Sequence, residues 1–120
     1  MAQVAVDANV VIGARLQRDQ NHDRGAAILQ GIDSGTLPTG YVLSDVLEEI
    51  VNYLHAKSGH RVATETLDAV IESSGFTLSQ TRKSDFDTGR SLYRQYESLS
   101  LTDAIIVAAM QREDIEYLYS

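Results

Sequence analysis

The sequence predicts an α/β fold in which a parallel sheet carries helices on both faces. Apolar segments of strand length alternate with longer segments in which apolar residues recur at helical spacing. Strands that are separated by helices pair in parallel through right-handed crossovers, and such crossovers cover both faces of the sheet. The 120 residues are enough for one domain with a single core.

The predicted elements follow a regular order. Each of the first three strands is followed by two helices, and a fourth strand ends the series. The predicted strands are residues 2–7, 39–43, 76–79 and 115–119. The predicted helices are residues 9–18, 22–30, 44–57, 60–72, 84–98 and 101–112.

The first part of the chain has well-marked boundaries. Residues 2–7 are an apolar run that ends at Asp7. Two short helical segments follow, and we expect Gly31 and the turn that contains Gly35 to end them. Pro38 closes this loop before the second strand.

The later elements differ in how much of their surface is apolar. Residues 44–57 and 60–72 carry apolar side chains on one side, which is typical of helices that lie on a core. Residues 84–98 form a more polar helix. Residues 101–112 are apolar nearly all round, so we expect this helix to be buried on most sides.

The composition restricts the possible functions. The chain has no Cys, which excludes disulfides and thiolate metal sites, so any metal must be bound by oxygen or by His. We expect His22, His55 and His60 to lie on the surface, since they form no ligand-like cluster. No segment is long and apolar enough to span a membrane and no secretory signal is visible, so we expect a cytoplasmic protein.

The charge balance leaves two interpretations open. Seventeen acidic and ten basic residues give a net charge of −7. Because phosphate neutralisation supplies most non-specific affinity for nucleic acids, an acidic domain should bind them poorly in dilute buffer. Either nucleic acid is not the substrate, or the protein works at high salt, where the Debye length falls to about 3 Å at 1 M.

Asp7 is the first candidate site residue. It directly follows the first predicted strand, and in an open α/β sheet ligands bind outside the carboxyl ends of the strands. Carboxylates are ligands for hard cations such as Mg²⁺. The alternative is structural, because an Asp after a strand is often a turn former or a helix N-cap.

The second candidate acid lies at the start of the helix predicted for residues 44–57. Asp45 and Glu48 have the spacing of an N-cap and its N3 carboxylate, which assigns Glu48 a capping role. Glu48 and Glu49 lie about equally far from the apolar stripe at 100° per residue. No capping role is assigned to Glu49, so it is either a site residue or a solvated glutamate on the flank of the helix.

Asp103 is the third candidate acid, at the start of the apolar helix. Ser100 and Asp103 have the spacing of a capping box, which is the structural interpretation. A carboxylate at the N-terminus of a central helix also lies near the crevice of the sheet, where the helix dipole favours its ionised form. Three acids at one edge of the sheet would suit Mg²⁺ or Mn²⁺, since such carboxylates repel one another unless a cation compensates.

Three segments resemble the motifs of PIN-domain nucleases, most closely the VapC-type toxins of prokaryotic toxin–antitoxin pairs. They are residues 6–12 (VDANVVI), 46–54 (VLEEIVNYL) and 99–105 (LSLTDAI). The resemblance implies a PIN-like α/β domain that hydrolyses RNA with Mg²⁺ or Mn²⁺. It also implies an antitoxin partner and a homodimer.

The resemblance assigns roles to individual residues. Asp7 and Asp103 are implied to be metal ligands, and Glu49 a further catalytic and metal-binding acid. Asn9 is implied to support Asp7, and Thr102 to support Asp103. By the same match we expect the antitoxin to contact residues 60–72 or the first helical pair; Ile12, Leu16 and Ile28 are either its anchors or core residues.

One departure concerns the last part of the domain. The family usually has a fourth acidic position after the strand that here precedes Ser120, followed by a final strand. We therefore expect residues 1–120 to be a PIN-like nuclease domain without this C-terminal end, with weaker metal binding and lower activity.

Three other kinds of protein are alternatives to a PIN-domain nuclease. A phospho-receiver domain needs a Lys at the end of its last strand, but the two Lys residues are Lys57 and Lys83. A phosphatase of the haloacid-dehalogenase type needs Asp-x-Asp in the first loop, where this chain has Asn9. A catalytically inert PIN-like module that binds a protein or RNA remains open.

Overall fold

Four parallel strands form the sheet in the computed structural model, which describes residues 2–120. The strands are β1 (Gln3–Val6), β2 (Thr39–Leu43), β3 (Phe76–Ser79) and β4 (Leu118–Tyr119). They lie side by side in the order β3-β2-β1-β4. Val4 lies opposite Gly40, Gly40 opposite Phe76, and Val6 opposite Tyr119. The predicted parallel sheet is confirmed.

Two helices lie between each pair of consecutive strands. They are α1 (Ala8–Arg15), α2 (His22–Ser34), α3 (Ser44–Ser58), α4 (His60–Glu72), α5 (Lys83–Gln95) and α6 (Leu101–Glu113). Helix α1 packs against α2 and α3, α3 packs against α4, and α5 packs against α6. Within residues 2–120, no helix is long and apolar enough to cross a membrane.

The order of the strands fixes where a ligand site is expected. From β1 the chain moves outward to β2 and then to β3, whereas the last crossover returns it to the other side of β1. Right-handed crossovers in opposite directions place α5 and α6 on the face opposite to α1–α4. The direction reverses between β1 and β4, and the carboxyl ends at such a reversal form the usual binding crevice of an open α/β sheet.

The core lies between the central strands and the helices next to them. Its fully buried side chains include Val10, Val11, Val42, Ile50 and Leu54. Helix α6 is buried along Ala104, Ile105, Ile106, Ala108 and Ala109, as expected for a helix that is apolar nearly all round. The edge strand β3 is only partly covered.

A buried ion pair joins the two helices on the second face. The carboxylate of Asp85 on α5 accepts hydrogen bonds from Nε and Nη2 of Arg112 on α6, at 2.9 and 2.8 Å. Nη2 of Arg112 also donates to the hydroxyl of Tyr41 on β2, at 3.3 Å. These bonds fix α6 relative to α5 and to the sheet.

Helix α5 approaches α6 most closely at Gly89. A Cβ atom at this position would lie 2.7 Å from Cγ1 and 2.9 Å from Cα of Ile105. Phe86 and Tyr93 of α5 are exposed. The fully buried residues of α5 are Asp85 and Gly89, one polar and one without a side chain.

The first two helices end elsewhere than predicted. Helix α1 stops at Arg15 rather than at residue 18, because the chain becomes extended at Leu16. Helix α2 continues past Gly31 to Ser34 and ends at Gly35, which has a left-handed backbone with φ of 84°. At Gly31 the absence of a side chain serves packing, since a Cβ atom would lie 2.6 Å from Leu37 Cδ1.

Two later elements are shorter than predicted. Helix α5 ends at Gln95 rather than at residue 98. Strand β4 has two residues, Leu118–Tyr119, although residues 115–119 were expected. Ile115 is buried in the core without pairing as a strand, so its apolar character reflects packing. His22 is half-buried rather than on the surface, and its Nδ1 lies 3.0 Å from the Gly13 carbonyl oxygen.

Candidate active site

Asp7 lies at the carboxyl end of β1 and caps α1. Its Oδ1 atom accepts a hydrogen bond from the Ala8 amide at 2.7 Å. Its own amide donates to the Tyr119 carbonyl oxygen of β4 at 2.9 Å. Asp7 is therefore a half-buried helix cap that also stands at the β1–β4 reversal, where the fold favours a ligand site. The capping and site interpretations are compatible, because capping uses one of the two carboxylate oxygens.

Glu49 lies in the second turn of α3, and its side chain is exposed. Its neighbour Glu48 borders a different surface, the apolar cleft between α3, α4 and β3 that contains Leu67 and Leu78. The two glutamates, which the helical wheel could not separate, thus face different surroundings.

The capping box predicted for Asp45 and Glu48 is wrong. Helix α3 begins at Ser44, as predicted, so Asp45 lies inside its first turn, and the N-cap Leu43 makes no side-chain capping bond. Ser44 Oγ accepts a hydrogen bond from the Thr81 amide at 3.1 Å, which ties the start of α3 to the segment after β3. This bond satisfies the Thr81 amide across 37 residues and leaves the start of α3 without a side-chain cap from Leu43.

Asp103 lies in the first turn of α6 and completes the capping box that the sequence indicated. The Asp103 amide donates to Ser100 Oγ at 3.0 Å, and Asp103 Oδ2 accepts from the Ser100 amide at 3.4 Å. These two bonds fix the backbone that carries the carboxylate. As with Asp7, the cap engages one oxygen of a half-buried acid.

The charges of the three acids act on one another. Although Glu49 is largely exposed, partial loss of solvent around its carboxylate raises its pKa, and the charges of Asp7 and Asp103 raise the pKa further. Burial also raises the pKa of Asp7; the hydrogen bond from the Ala8 amide partly offsets this rise, and the charge of Asp103 adds to it. These shifts indicate that the three carboxylates lie near one another; that they form one site remains a prediction.

The three carboxylates do not form a ready-made metal cage. Within residues 2–120, no group of three or more His, Asp or Glu side chains is close enough together to hold a metal ion. Carboxylates that repel one another stay apart until a cation compensates their charge. The donors are all oxygen atoms, the kind that Mg²⁺ and Mn²⁺ accept.

Asn9 and Thr102 lie beside the acids that they were expected to support. Asn9 is exposed in the first turn of α1, and Thr102 is half-buried next to Asp103. Within the described part of the chain, neither side chain makes a hydrogen bond to Asp7 or Asp103. Their supporting roles remain predictions.

The residue that sequence reasoning missed is Asp85. It is 2% exposed, and its ion pair with Arg112 holds the helix that carries Asp103. The two residues are 27 positions apart, and no local pattern indicates that they pair. The sequence offers one indication of a role for Asp85: it lies four residues before Gly89, on the side of α5 that is buried.

Comparison with solved structures shows where this fold occurs. The chain is similar to the VapC20 toxin of Mycobacterium tuberculosis, described as a sarcin-ricin loop cleaving toxin, with 18% identity and a TM-score of 0.84 over 98% of this chain and 88% of that one. It is also similar to a chain in a toxin–antitoxin complex from Klebsiella pneumoniae, with 17% identity and a TM-score of 0.65 over 98% of this chain and 84% of that one. At these identities the likeness shows the fold.

Sequence comparison identifies the family. No curated protein sequence matches the chain. The family model described as the PIN domain matches residues 4–120, which is nearly the whole chain and includes all three acids. The chain therefore belongs to the PIN domain family.

Proposed function

We propose that this protein is a metal-dependent ribonuclease that hydrolyses RNA phosphodiester bonds, acting as the toxin of a toxin–antitoxin pair. The observation that carries the proposal is the electrostatic interaction of Asp7, Glu49 and Asp103 at the β1–β4 reversal. Membership of the PIN domain family supports the nuclease function. The RNA-cleaving toxin and the toxin–antitoxin complex that share the fold support the biological role.

The residues fit a hydrated divalent cation better than a bare one. Mg²⁺ usually keeps several waters and takes one or two carboxylates. Asp7 and Asp103 are fixed by their capping bonds, each through one oxygen, and each has a second oxygen on the same carboxylate. We therefore propose Asp7 and Asp103 as the ligands fixed by the backbone and Glu49 as the ligand or base on a more mobile side chain.

The chemistry follows from the positions of these groups. When bound, Mg²⁺ or Mn²⁺ polarises the phosphoryl oxygen and makes an attacking water more acidic. Glu49, whose pKa is raised by burial and by the other two acids, can accept the proton of that water at a carboxylate oxygen. Asp7 and Asp103 would hold the cation beside Glu49. As the bond from the water oxygen to phosphorus forms, the bond from phosphorus to the leaving sugar oxygen breaks, and that oxygen takes a proton from solvent. No side chain needs to act as a nucleophile.

RNA cleavage with a matched set of variants tests this proposal. Asp7→Asn, Glu49→Gln and Asp103→Asn each remove one charge and keep the shape of the side chain. We expect each to lose at least 100-fold in Mn²⁺-dependent cleavage, of the order measured when one charge-stabilising group is removed from an active site. Glu48→Gln, one position along the same helix, is the control and should keep wild-type activity. Equal loss in Glu48→Gln and Glu49→Gln would contradict the assignment.

A partner protein is proposed for the groove between α1, α2 and α4. This groove has a volume of about 380 Å³ and is lined by apolar residues that include Leu29 and Val70. It joins the two surfaces expected to bind an antitoxin, and amphipathic segments dock in such grooves. Ile12 is buried, which favours the core interpretation for it, whereas Leu16 and Ile28 pack against the core and keep part of their surface exposed.

Coexpression with the product of an adjacent small reading frame would test the partner. Ala69→Arg, an exposed position on this groove, should weaken the complex, whereas Ala56→Arg on the exposed side of α3 should not. A complex that both variants leave unchanged would place the partner elsewhere. Sedimentation velocity of the isolated chain tests the homodimer.

An inert PIN-like module is the second candidate. It is favoured by the absence, within residues 2–120, of a preformed cluster of three metal-binding side chains. Such a module should show no Mg²⁺ or Mn²⁺ binding that depends on Asp7. Metal titration of wild type and Asp7→Asn therefore separates the two candidates.

A further inference from the structure

A basic cleft lies at the far ends of α1 and α3. It has a volume of about 620 Å³, and its border includes Arg15, Arg18, Lys57 and Tyr53. A volume of this size falls in the usual range for small-ligand sites, about 300–1,000 Å³. The chain has ten basic residues and a net charge of −7. Three of the ten basic residues border this cleft, so it is a region of positive charge on a protein whose net charge is negative.

The cleft keeps a positive charge after its ion pairs are considered. Arg15 is paired with Glu65 at 3.2 Å. Within residues 2–120, Arg18 and Lys57 form no ion pair. Asp19 is the one acid on the border, and its Oδ1 accepts a hydrogen bond from the Asn21 amide at 2.8 Å, so it serves a local turn.

An aromatic ring forms part of the same cleft. The Tyr53 side chain is 42% exposed, and Lys57 Nζ lies 5.8 Å from its ring centroid. Leu16 adds an apolar contact surface beside it. Aromatic rings next to cationic groups are the usual platform for single-stranded nucleic acid, because bases stack on the ring while phosphates meet the charges.

The cleft lies along the same helices as the proposed active site. Asp7 caps the start of α1 and Arg15 ends it. On α3, Tyr53 lies about one turn after Glu49, and Lys57 lies about two turns after Glu49. At 1.5 Å per residue, Tyr53 and Lys57 are therefore about 6 and 12 Å from Glu49 along the helix axis. Helices α1 and α3 pack against each other, and the spacing of four residues places Glu49, Tyr53 and Lys57 on one side of α3. At about 3.4 Å per stacked nucleotide, this span is about two to four nucleotides.

We propose that the cleft binds the RNA strand about two to four nucleotides from the bond that is cut. Arg18 and Lys57 contact phosphates, and Tyr53 stacks on a base. This inference rests on the proposed ribonuclease function and deepens it. It also explains how a chain with a net charge of −7 binds a polyanion, since binding needs local rather than overall positive charge.

The test is binding of a fluorescein-labelled 12-nucleotide oligouridine, followed by anisotropy at several salt concentrations. All proteins carry Asp7→Asn so that the RNA is not cut. Adding Arg18→Gln and Lys57→Gln together should weaken binding at least tenfold at low salt. Two lost phosphate contacts should also reduce the slope of log K against log salt by about 1.4, at about 0.7 per contact for single strands.

Matched controls separate this effect from a general loss of charge. Arg90→Gln with Arg94→Gln removes two exposed arginines from α5, on the opposite face, and should leave affinity and slope within twofold. Tyr53→Leu should weaken binding about 5-fold or more, whereas Tyr53→Phe should keep it, because stacking needs the ring and not the hydroxyl. Equal effects of the Arg18, Lys57 pair and the Arg90, Arg94 pair would overturn the proposal.

A second readout distinguishes failure of this inference from failure of the proposed function. With active-site residues intact and Mn²⁺ present, the ratio of kcat/KM for the 12-mer to that for the dinucleotide UpU should fall about tenfold in the Arg18→Gln, Lys57→Gln protein. An unchanged ratio in an active enzyme would overturn the cleft assignment alone. If wild type cuts neither RNA but its binding still depends on Arg18 and Lys57, the cleft assignment stands and the ribonuclease function fails.

Discussion

Replacing Asp85 with Ala should be among the most destabilising single changes in this protein. Asp85 is 2% exposed and accepts two hydrogen bonds from Arg112, whose side chain is 23% exposed. Loss of one partner of a buried pair typically costs about 3–5 kcal/mol, because the other charge is left without compensation. Arg112 would keep its contacts with Tyr41 and Glu113 and some contact with water. We therefore expect the lower end, about 3 kcal/mol.

This loss is large enough to measure without ambiguity. At about 2.1 cal/mol/K per residue, a chain of 120 residues has an unfolding entropy of about 0.25 kcal/mol/K, so 3 kcal/mol lowers Tm by about 12 °C. Urea unfolding followed by far-UV circular dichroism gives the free energy of unfolding. The matched control is Asp87→Ala on the same helix. Its ion pair with Lys83 is exposed at both side chains, and should contribute at most about 0.5 kcal/mol.

A double replacement tests the physical reason. Asp85→Leu with Arg112→Met removes both charges together, and should recover most of the stability that Asp85→Ala loses, since no unpaired charge remains. A loss below about 1 kcal/mol for Asp85→Ala, or one equal to that of Asp87→Ala, would refute the reasoning. It would mean that the buried pair contributes to geometry without contributing to stability.

Three further predictions concern packing, pH and the ion pair. Gly89→Ala should cost about 1–3 kcal/mol, because its Cβ would lie within 3 Å of the Ile105 backbone, whereas exposed Ser91→Ala should change little in the same unfolding assay. In metal-free buffer, stability should fall as pH rises from about 4, because the folded state raises the pKa of Asp7 and Glu49 above their ordinary values and so binds protons more tightly than the unfolded chain. Asp7→Asn should therefore be more stable than wild type near pH 7, and urea midpoints that do not differ at pH 7 would contradict this. Arg112→Lys should lose stability as well, because a single ammonium cannot reproduce the two hydrogen bonds to Asp85.

Much of the fold could be predicted from local patterns. The parallel sheet followed from apolar strands separated by helices, and the buried helix α6 followed from its apolar surface on all sides. The boundaries were wrong where long-range contacts decide them. Gly31, which was expected to end α2, lies inside the helix, where its lack of a side chain leaves room for Leu37.

The candidate site could be predicted in part for the same reason. Asp7 follows a strand and Asp103 begins a helix, so each could be assigned to one edge of the sheet from its element alone. The helical pattern alone did not separate Glu48 from Glu49, and the family resemblance made the choice; the structure adds that the two have different surroundings. The pairing of Asp85 with Arg112 depends on the approach of two helices, which no local pattern encodes.

Isothermal titration with Mn²⁺ tests the central claim, that Asp7, Glu49 and Asp103 form one metal site, most directly. We predict that wild type binds Mn²⁺ and that Asp7→Asn, Glu49→Gln and Asp103→Asn each weaken binding at least tenfold. The double variant Asp7→Asn, Asp103→Asn should lose less than the sum of the two single losses in free energy, since residues of one site act together. Glu48→Gln should bind like wild type. Mn²⁺ binding that survives unchanged in Asp7→Asn and Asp103→Asn, or no binding by wild type at millimolar Mn²⁺, would contradict the claim.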